Sequence, residues 1–294
     1  MGRRHLRFAA TGNGPVRSRN LPLALTAGSS SALVYPGDGG RLGQLDFGAG
    51  PILRDRDSGQ DWKGWGCYPL VPWSNRIPEG RLRYREIDVV LEPNHSDGSA
   101  IHGLGADRPW VVIGQSDQSA TLSVVLRTAP YDLHARLSYD LCPDRLQLHL
   151  SVTNVGHSVV PVGLGFHPWF RSGMVRLPAT QRWPGEPLPT GPPIAVDGAY
   201  DLRGGTIPAA MDACFTGLTD SWADVPGARL RWDDSVSHVV VYSAEPGWLC
   251  VEPVTMVNNG IALADRGEAD HGVVALEPGC SMDLRVDIER ATPA

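Results

Sequence analysis

Arg145-Leu146-Gln147-Leu148-His149-Leu150-Ser151-Val152 decides the fold class. Apolar and polar residues alternate without a break. Leu146, Leu148, Leu150 and Val152 therefore share one face, and Arg145, Gln147, His149 and Ser151 share the other. Side chains alternate between two faces only in an extended chain, so this is a strand half in a core and half toward water. Runs of the same kind recur at 81–91, 110–114, 120–127, 135–141, 228–232, 236–243 and 282–288. Clusters of Gly, Pro, Asn and Asp separate them, as turns require. No stretch of about 12 residues or more has a helical period. Many antiparallel strands without helices predict an all-β protein, a large antiparallel sandwich or a closed barrel.

The chain has 294 residues. Length alone suggests about two domains, but all-β units of this size often stay single. We therefore expect one domain over 21–294, preceded by a loosely held tail over 1–20 with a short strand at 6–10. That tail carries Arg3, Arg4, Arg7, Arg17 and Arg19 but no signal-peptide core. A net charge of −6 argues against a general nucleic-acid binder, which would show a basic stripe. No run approaches the ~20 apolar residues of a membrane span. Five cysteines, none in a CxxC pair, suggest neither a zinc ribbon nor a disulfide framework. Reduced thiols in a cytoplasmic protein are the simplest expectation. The segment 177–208 is rich in Pro and Gly, so it is expected to form no interior strand and to run as a long surface loop near the site.

Two segments carry most of the chemistry. Gly163-Leu164-Gly165-Phe166-His167-Pro168-Trp169-Phe170 sets an imidazole among large aromatics and before a proline, which restricts its backbone to extended geometry. Cys250-Val251-Glu252-Pro253-Val254-Thr255 sets a carboxylate on a short apolar run, again before a proline. Glu-Pro alone says little, since Glu92, Glu245 and Glu277 share it. The pairing with His167 gives it weight as an acid and base. Arg76, in Pro72-Trp73-Ser74-Asn75-Arg76-Ile77, offers a fork of donors for ligand oxygens. His102 sits beside Gly103, which permits close backbone approach, and Asp212 follows the Pro-rich stretch. Each also fits a plain surface, loop or turn role. Trp65, Trp73, Trp110 and Trp169 lie near these candidates, and sugar faces stack on such rings, although tryptophans in a sandwich commonly belong to its core. Arg81, Arg83 and Arg85 alternate with apolar residues and so share a face. They suit either a solvated outer face or recognition of a sugar bearing phosphate, sulfonate or carboxylate.

In order, PLVPWSNRIPEGRL, IHG, GFHPWF, MDACFTGL and CVEPVT resemble the aldose 1-epimerase (galactose mutarotase) family, over about 31–288. The resemblance implies a β-supersandwich and cofactor-free interconversion of the α and β anomers of a free sugar. His167 would be the general acid and Glu252 the general base. Arg76, His102 and Asp212 would bind and orient the sugar; apart from the resemblance, the rings of Phe166, Trp169 and Phe170 beside His167 offer apolar walls, and Trp169 is a candidate to meet the sugar. The chain departs from the pattern after His102-Gly103 and at Met256, where many relatives carry a histidine. Both places bear on which sugar is bound. On this view Glu252 starts as carboxylate and His167 as imidazolium, each stabilising the other. No HxH, HExxH or CxxC spacing suggests a metal. Two other classes fit parts of the pattern. A sugar-binding module would need hydrogen bonds but no matched acid and base. A glycoside hydrolase would use two carboxyls, Asp212 and Glu252, and would leave His167 unexplained.

Overall fold

The alternating run at 145–152 lies at the middle of a seven-stranded antiparallel sheet. Its order is Trp222–Val225, Ala228–Trp232, Ser281–Arg290, Arg145–Asn154, Tyr131–Leu141, Ser119–Thr128 and Val111–Gln115. Leu146, Leu148, Leu150 and Val152 are wholly buried, opposite Ile288, Val286, Leu284 and Met282 on one side and Leu141, Tyr139, Leu137 and Ala135 on the other. The computed structural model describes residues 21–56 and 61–291. The expected tail over 1–20, with its short strand, lies outside them.

A second antiparallel sheet has ten strands, ordered Leu23–Ala27, Ser30–Tyr35, Arg41–Asp46, Cys67–Leu70, Gly165–Arg171, Trp248–Val254, His238–Tyr242, Asp212–Leu218, Ala179–Arg182 and Ile194–Ala195. Its two faces do different things. Phe166, Phe170, Val239, Val241 and Val251 join the leucines of the first sheet in one apolar core. Each large side chain buried there contributes about 1.5–3 kcal/mol. The period of two turns their neighbours the other way. Tyr68, Trp169, Val240, Cys214 and Cys250 form a separate cluster on the opposite face. That face is the floor of the candidate site.

Two expectations change. The run 81–91 is a hairpin rather than one strand, Arg81–Tyr84 against Ile87–Val90. Arg85 takes φ 53° at its turn, so it leaves the face that Arg81 and Arg83 share. Within 177–208, Ala179–Arg182 pairs on both sides, with Asp212–Leu218 and Ile194–Ala195. It contains no proline and fits between Pro178 and Pro184, so the prolines bound the strand instead of preventing it. Among the described residues the one α-helix is short, Gly260–Asp265. No helix there is long and apolar enough to cross a membrane.

Candidate active site

Strand register brings the distant motifs together. Gly165 pairs with Val254 and Trp169 with Cys250, so His167 falls level with Glu252 between them. His167 also faces Tyr68 on its other side, and Glu252 faces Val240. Residues directly opposite each other point to the same face. One row thus reads Tyr68, His167, Glu252, Val240, Cys214 across five strands. The next row reads Trp169, Cys250, Tyr242, Asp212. Tyr68, His167 and Glu252 each precede a proline. A proline inside a central strand removes a ladder hydrogen bond, so three donors are missing from the sheet beside this row.

A small ribbon builds the rim. Arg76 pairs with Ile101, so Arg76 and His102 end on adjacent strands. His102 holds φ 63°, and its N–H donates to the Asn75 carbonyl at 2.9 Å. Gly103 follows at φ 77°, where a Cβ would lie 2.1 Å from the Val71 oxygen. Only glycine allows the backbone to pass this closely, so the IHG sequence aims His102 inward.

The six sequence candidates, His167, Glu252, Arg76, His102, Asp212 and Trp169, line one cavity of about 280 Å³. His167 Nε2 lies 3.3 Å from Glu252 Oε1, and both residues are buried. The imidazole stacks on Tyr68 at 4.7 Å and 18°, has Trp169 at 5.6 Å, and meets the edge of His102 at 4.9 Å. Arg76 Nη1 donates to Asp212 Oδ2 at 3.3 Å, and Arg76 Nε donates to Asp97 at 3.0 Å. The Asp212 N–H donates to Glu186, which belongs to the Pro-rich segment. That segment therefore does reach the site.

Burial decides the charge states. It pushes the Glu252 carboxyl well above its usual range, with Asp212 adding to the rise and Arg76 opposing it. It pushes the imidazoles of His167 and His102 down, and it raises the Asp212 carboxyl against the pull of Arg76. A protonated carboxyl facing a neutral imidazole carries the same single proton as a carboxylate facing an imidazolium. Burial of both groups favours the uncharged arrangement. Both shifts work against the charged pair expected from sequence, a carboxylate facing an imidazolium.

Sequence reasoning missed Tyr68, Lys63, Asn75, Tyr242 and Glu245, which also line the cavity. Tyr68 carried a usable signal, since it too precedes a proline. Glu245 had been set aside as an ordinary Glu-Pro. Trp65, Trp73 and Trp110 are buried elsewhere, and of the four tryptophans singled out only Trp169 lines this cavity. Arg81 and Arg83 are exposed and pair with Asp88, as a solvated outer face would.

The fold and site define a mutarotase-like β-sandwich with a buried imidazole–carboxyl pair. The chain belongs to the aldose 1-epimerase family, whose profile matches residues 23–279. It is similar to YphB, an uncharacterized protein of Escherichia coli K12, with 33% identity over 121 residues, 41% of this chain and 42% of that one. A second uncharacterized Escherichia coli K12 protein, YihR, is 33% identical over 124 residues, 38% of this chain and 40% of that one. These matches span less than half of each relative. Among solved structures, a galactose mutarotase-like protein from Clostridium acetobutylicum superimposes with a TM-score of 0.76 at 22% identity, covering 91% of this chain and 95% of that one. A provisionally assigned aldose 1-epimerase from Escherichia coli K12 gives 0.80 at 22% identity, covering 91% and 98%. Likeness at this level supports the fold.

Proposed function

We propose that this protein is a mutarotase acting on a free, uncharged aldose. The observation that carries the reading is the 3.3 Å contact between His167 and Glu252 on the floor of a ring-lined cavity. Ring opening removes a proton from the anomeric hydroxyl and adds one to the ring oxygen. The pair holds one proton and can do both. An anomeric hydroxyl donating to Glu252 Oε2 stabilises the carboxylate. That oxygen is buried and has no hydrogen-bond partner among the described residues. The proton of Glu252 then passes to His167 Nε2. His167 delivers it to the ring oxygen while Glu252 takes the anomeric proton. Rotation about C1–C2 turns the other carbonyl face inward, and the same transfers in reverse close the ring. Each assisted transfer is worth roughly 10² to 10⁴ in rate.

A cavity of about 280 Å³ suits one monosaccharide, near the lower end of ligand pockets. Trp169 and Tyr68 offer apolar surface, and Arg76, His102 and Asp212 offer groups for the hydroxyls. Both cations lining the cavity already face carboxylates, Lys63 with Asp61 and Arg76 with Asp97 and Asp212. This supports an uncharged sugar over an anionic one. It also leaves Asp212 as a binding group rather than a second hydrolytic carboxyl.

The test follows anomeric signals of freshly dissolved neutral aldoses by proton NMR. The protein should speed equilibration above the buffer rate, and folded His167→Asn should lose about 10² or more of that gain. Binding without acceleration across the panel would mark a sugar-binding protein instead.

A further inference from the structure

We propose that Arg41 is a positioning residue that sets the plane and the charge of His167 through the ring of Tyr68. For its catalytic consequence this rests on the mutarotase reading; the geometry stands without it. Leu42 pairs with Cys67, so Arg41 is level with Tyr68, which in turn faces His167. Arg41, Tyr68, His167 and Glu252 therefore form one row over four adjacent strands. The Arg41 Cζ lies 4.7 Å from the Tyr68 ring centroid, and the His167 ring lies 4.7 Å from it. Their strands flank that of Tyr68, so the phenol ring is held between guanidinium and imidazole. The Tyr68 hydroxyl donates to the Lys63 carbonyl at 3.2 Å and pins the far end of the ring.

Arg41 is wholly inside, with 1% exposure. It spends its donors on backbone: Nε to the Asp38 carbonyl at 3.0 Å, Nη1 to Trp65 at 2.7 Å and Nη2 to Ala106 at 3.3 Å. The Trp65 ring covers it at 4.3 Å. Among the described residues no carboxylate forms an ion pair with it, and the Asp38 carboxylate faces Arg56 instead. Its direct contacts are carbonyls and ring faces, which do not neutralise it, and the nearby Asp38 carboxylate offsets its field only in part. Burial pushes Arg41 down to about 10, so it remains charged at neutral pH.

The other groups around His167 do not offset that field. Burial raises the Tyr68 hydroxyl and lowers His102, so both are uncharged. The thiols of Cys67 and Cys250 are raised as well. Burial disfavours charge on Glu252 as well. The other cations near the ring are each held by a carboxylate: Lys63 by Asp61, Arg76 by Asp212, and Arg54, which lies over the Trp169 ring, by Glu245. Arg41 and His167 are two strand spacings apart, roughly 9–10 Å. At an effective dielectric of about 20, one charge at that distance moves a titration by about one pH unit. It acts in the same direction as burial, keeping His167 uncharged in the free protein. Once protonated beside the sugar, His167 is the stronger acid toward the weakly basic ring oxygen.

The experiment labels histidine with ¹⁵N and ¹³C, assigns His167 by loss of its signals in His167→Asn, and titrates the sugar-free protein. Parent and Arg41→Lys should keep His167 uncharged at pH 5. Arg41→Met should move its titration up by about one unit, and kcat should fall several-fold while KM changes by less than about two-fold. The proposal is overturned if Arg41→Met leaves the titration in place, or if Arg41→Lys moves it as far. It is overturned with no variant at all if parent His167 titrates near the ordinary value of about 6.5. The titration needs no sugar, so its failure is distinct from failure of the mutarotase reading, which is read from anomer rates alone.

Discussion

Glu252→Gln separates the two placements of the proton, because they give opposite signs in stability. Glu252 is 2% exposed, and burial lifts its carboxyl well above the ordinary value of 4.5. An acid raised in the folded state gives its full contribution to stability below the unfolded value. It loses that contribution as pH rises toward the folded value, since the unfolded chain releases the proton first. The slope is about 1.4 kcal/mol for each pH unit between the two values. Glutamine keeps the shape and does not ionise, so the variant escapes this loss. Parent and Glu252→Gln should be similar near pH 4, and the variant should gain on the parent by about that slope as pH rises above 5. Urea unfolding at several pH values reads this directly. Mutarotation by Glu252→Gln should meanwhile fall by about 10² or more. A carboxylate stabilised by imidazolium would reverse the trend, with the parent gaining on the variant as pH rises to about 4.5 and holding that gain just above it. That result, or a flat difference, refutes the uncharged pair. Near-parent turnover in the folded variant refutes the role of Glu252.

The rate profile should reflect the same pair. Turnover should fall at low pH as His167 takes a second proton, at a value depressed by burial, and at high pH as Glu252 loses the one they share; initial rates corrected for buffer catalysis measure both limbs. Arg76→Ala should raise KM and lower kcat, the latter by up to about 10² through misplacement, without moving either limb by much, as steady-state kinetics across pH will read. Gly103→Ala should destabilise the His102 loop by at least 1–2 kcal/mol, since its φ is 77° and its Cβ would meet the Val71 oxygen; thermal unfolding together with KM tests this, and a variant as stable as the parent would show that the loop has room to move.

Much of the fold was legible because half-buried strands leave a period of two in the chain. The run 145–152 met the core with the face its leucines define. The hairpin at 81–91 was not legible, because residues on both sides of a tight turn can keep one alternation while the chain reverses. The strand at Ala179–Arg182 was hidden by surrounding prolines that lie outside its four residues. At the site, the residue types and their order pointed to all six candidates that line the cavity. Tyr68 and Glu245 escaped notice because neither looks unusual beside its own neighbours; only partners on other strands and loops give them a place.

The sequence by itself determined which residues alternate, which precede prolines and which chemistries are present. Those are properties of bonded neighbours, and they are set by local backbone sterics. Only the tertiary structure decided that His167 stands opposite Glu252, because register joins residues 85 positions apart in the chain. It also decided how deeply the pair is buried, and burial works against charge on both groups. Charge depends on the water removed and on the fields of groups such as Arg41 and Asp212, which packing brings near the pair.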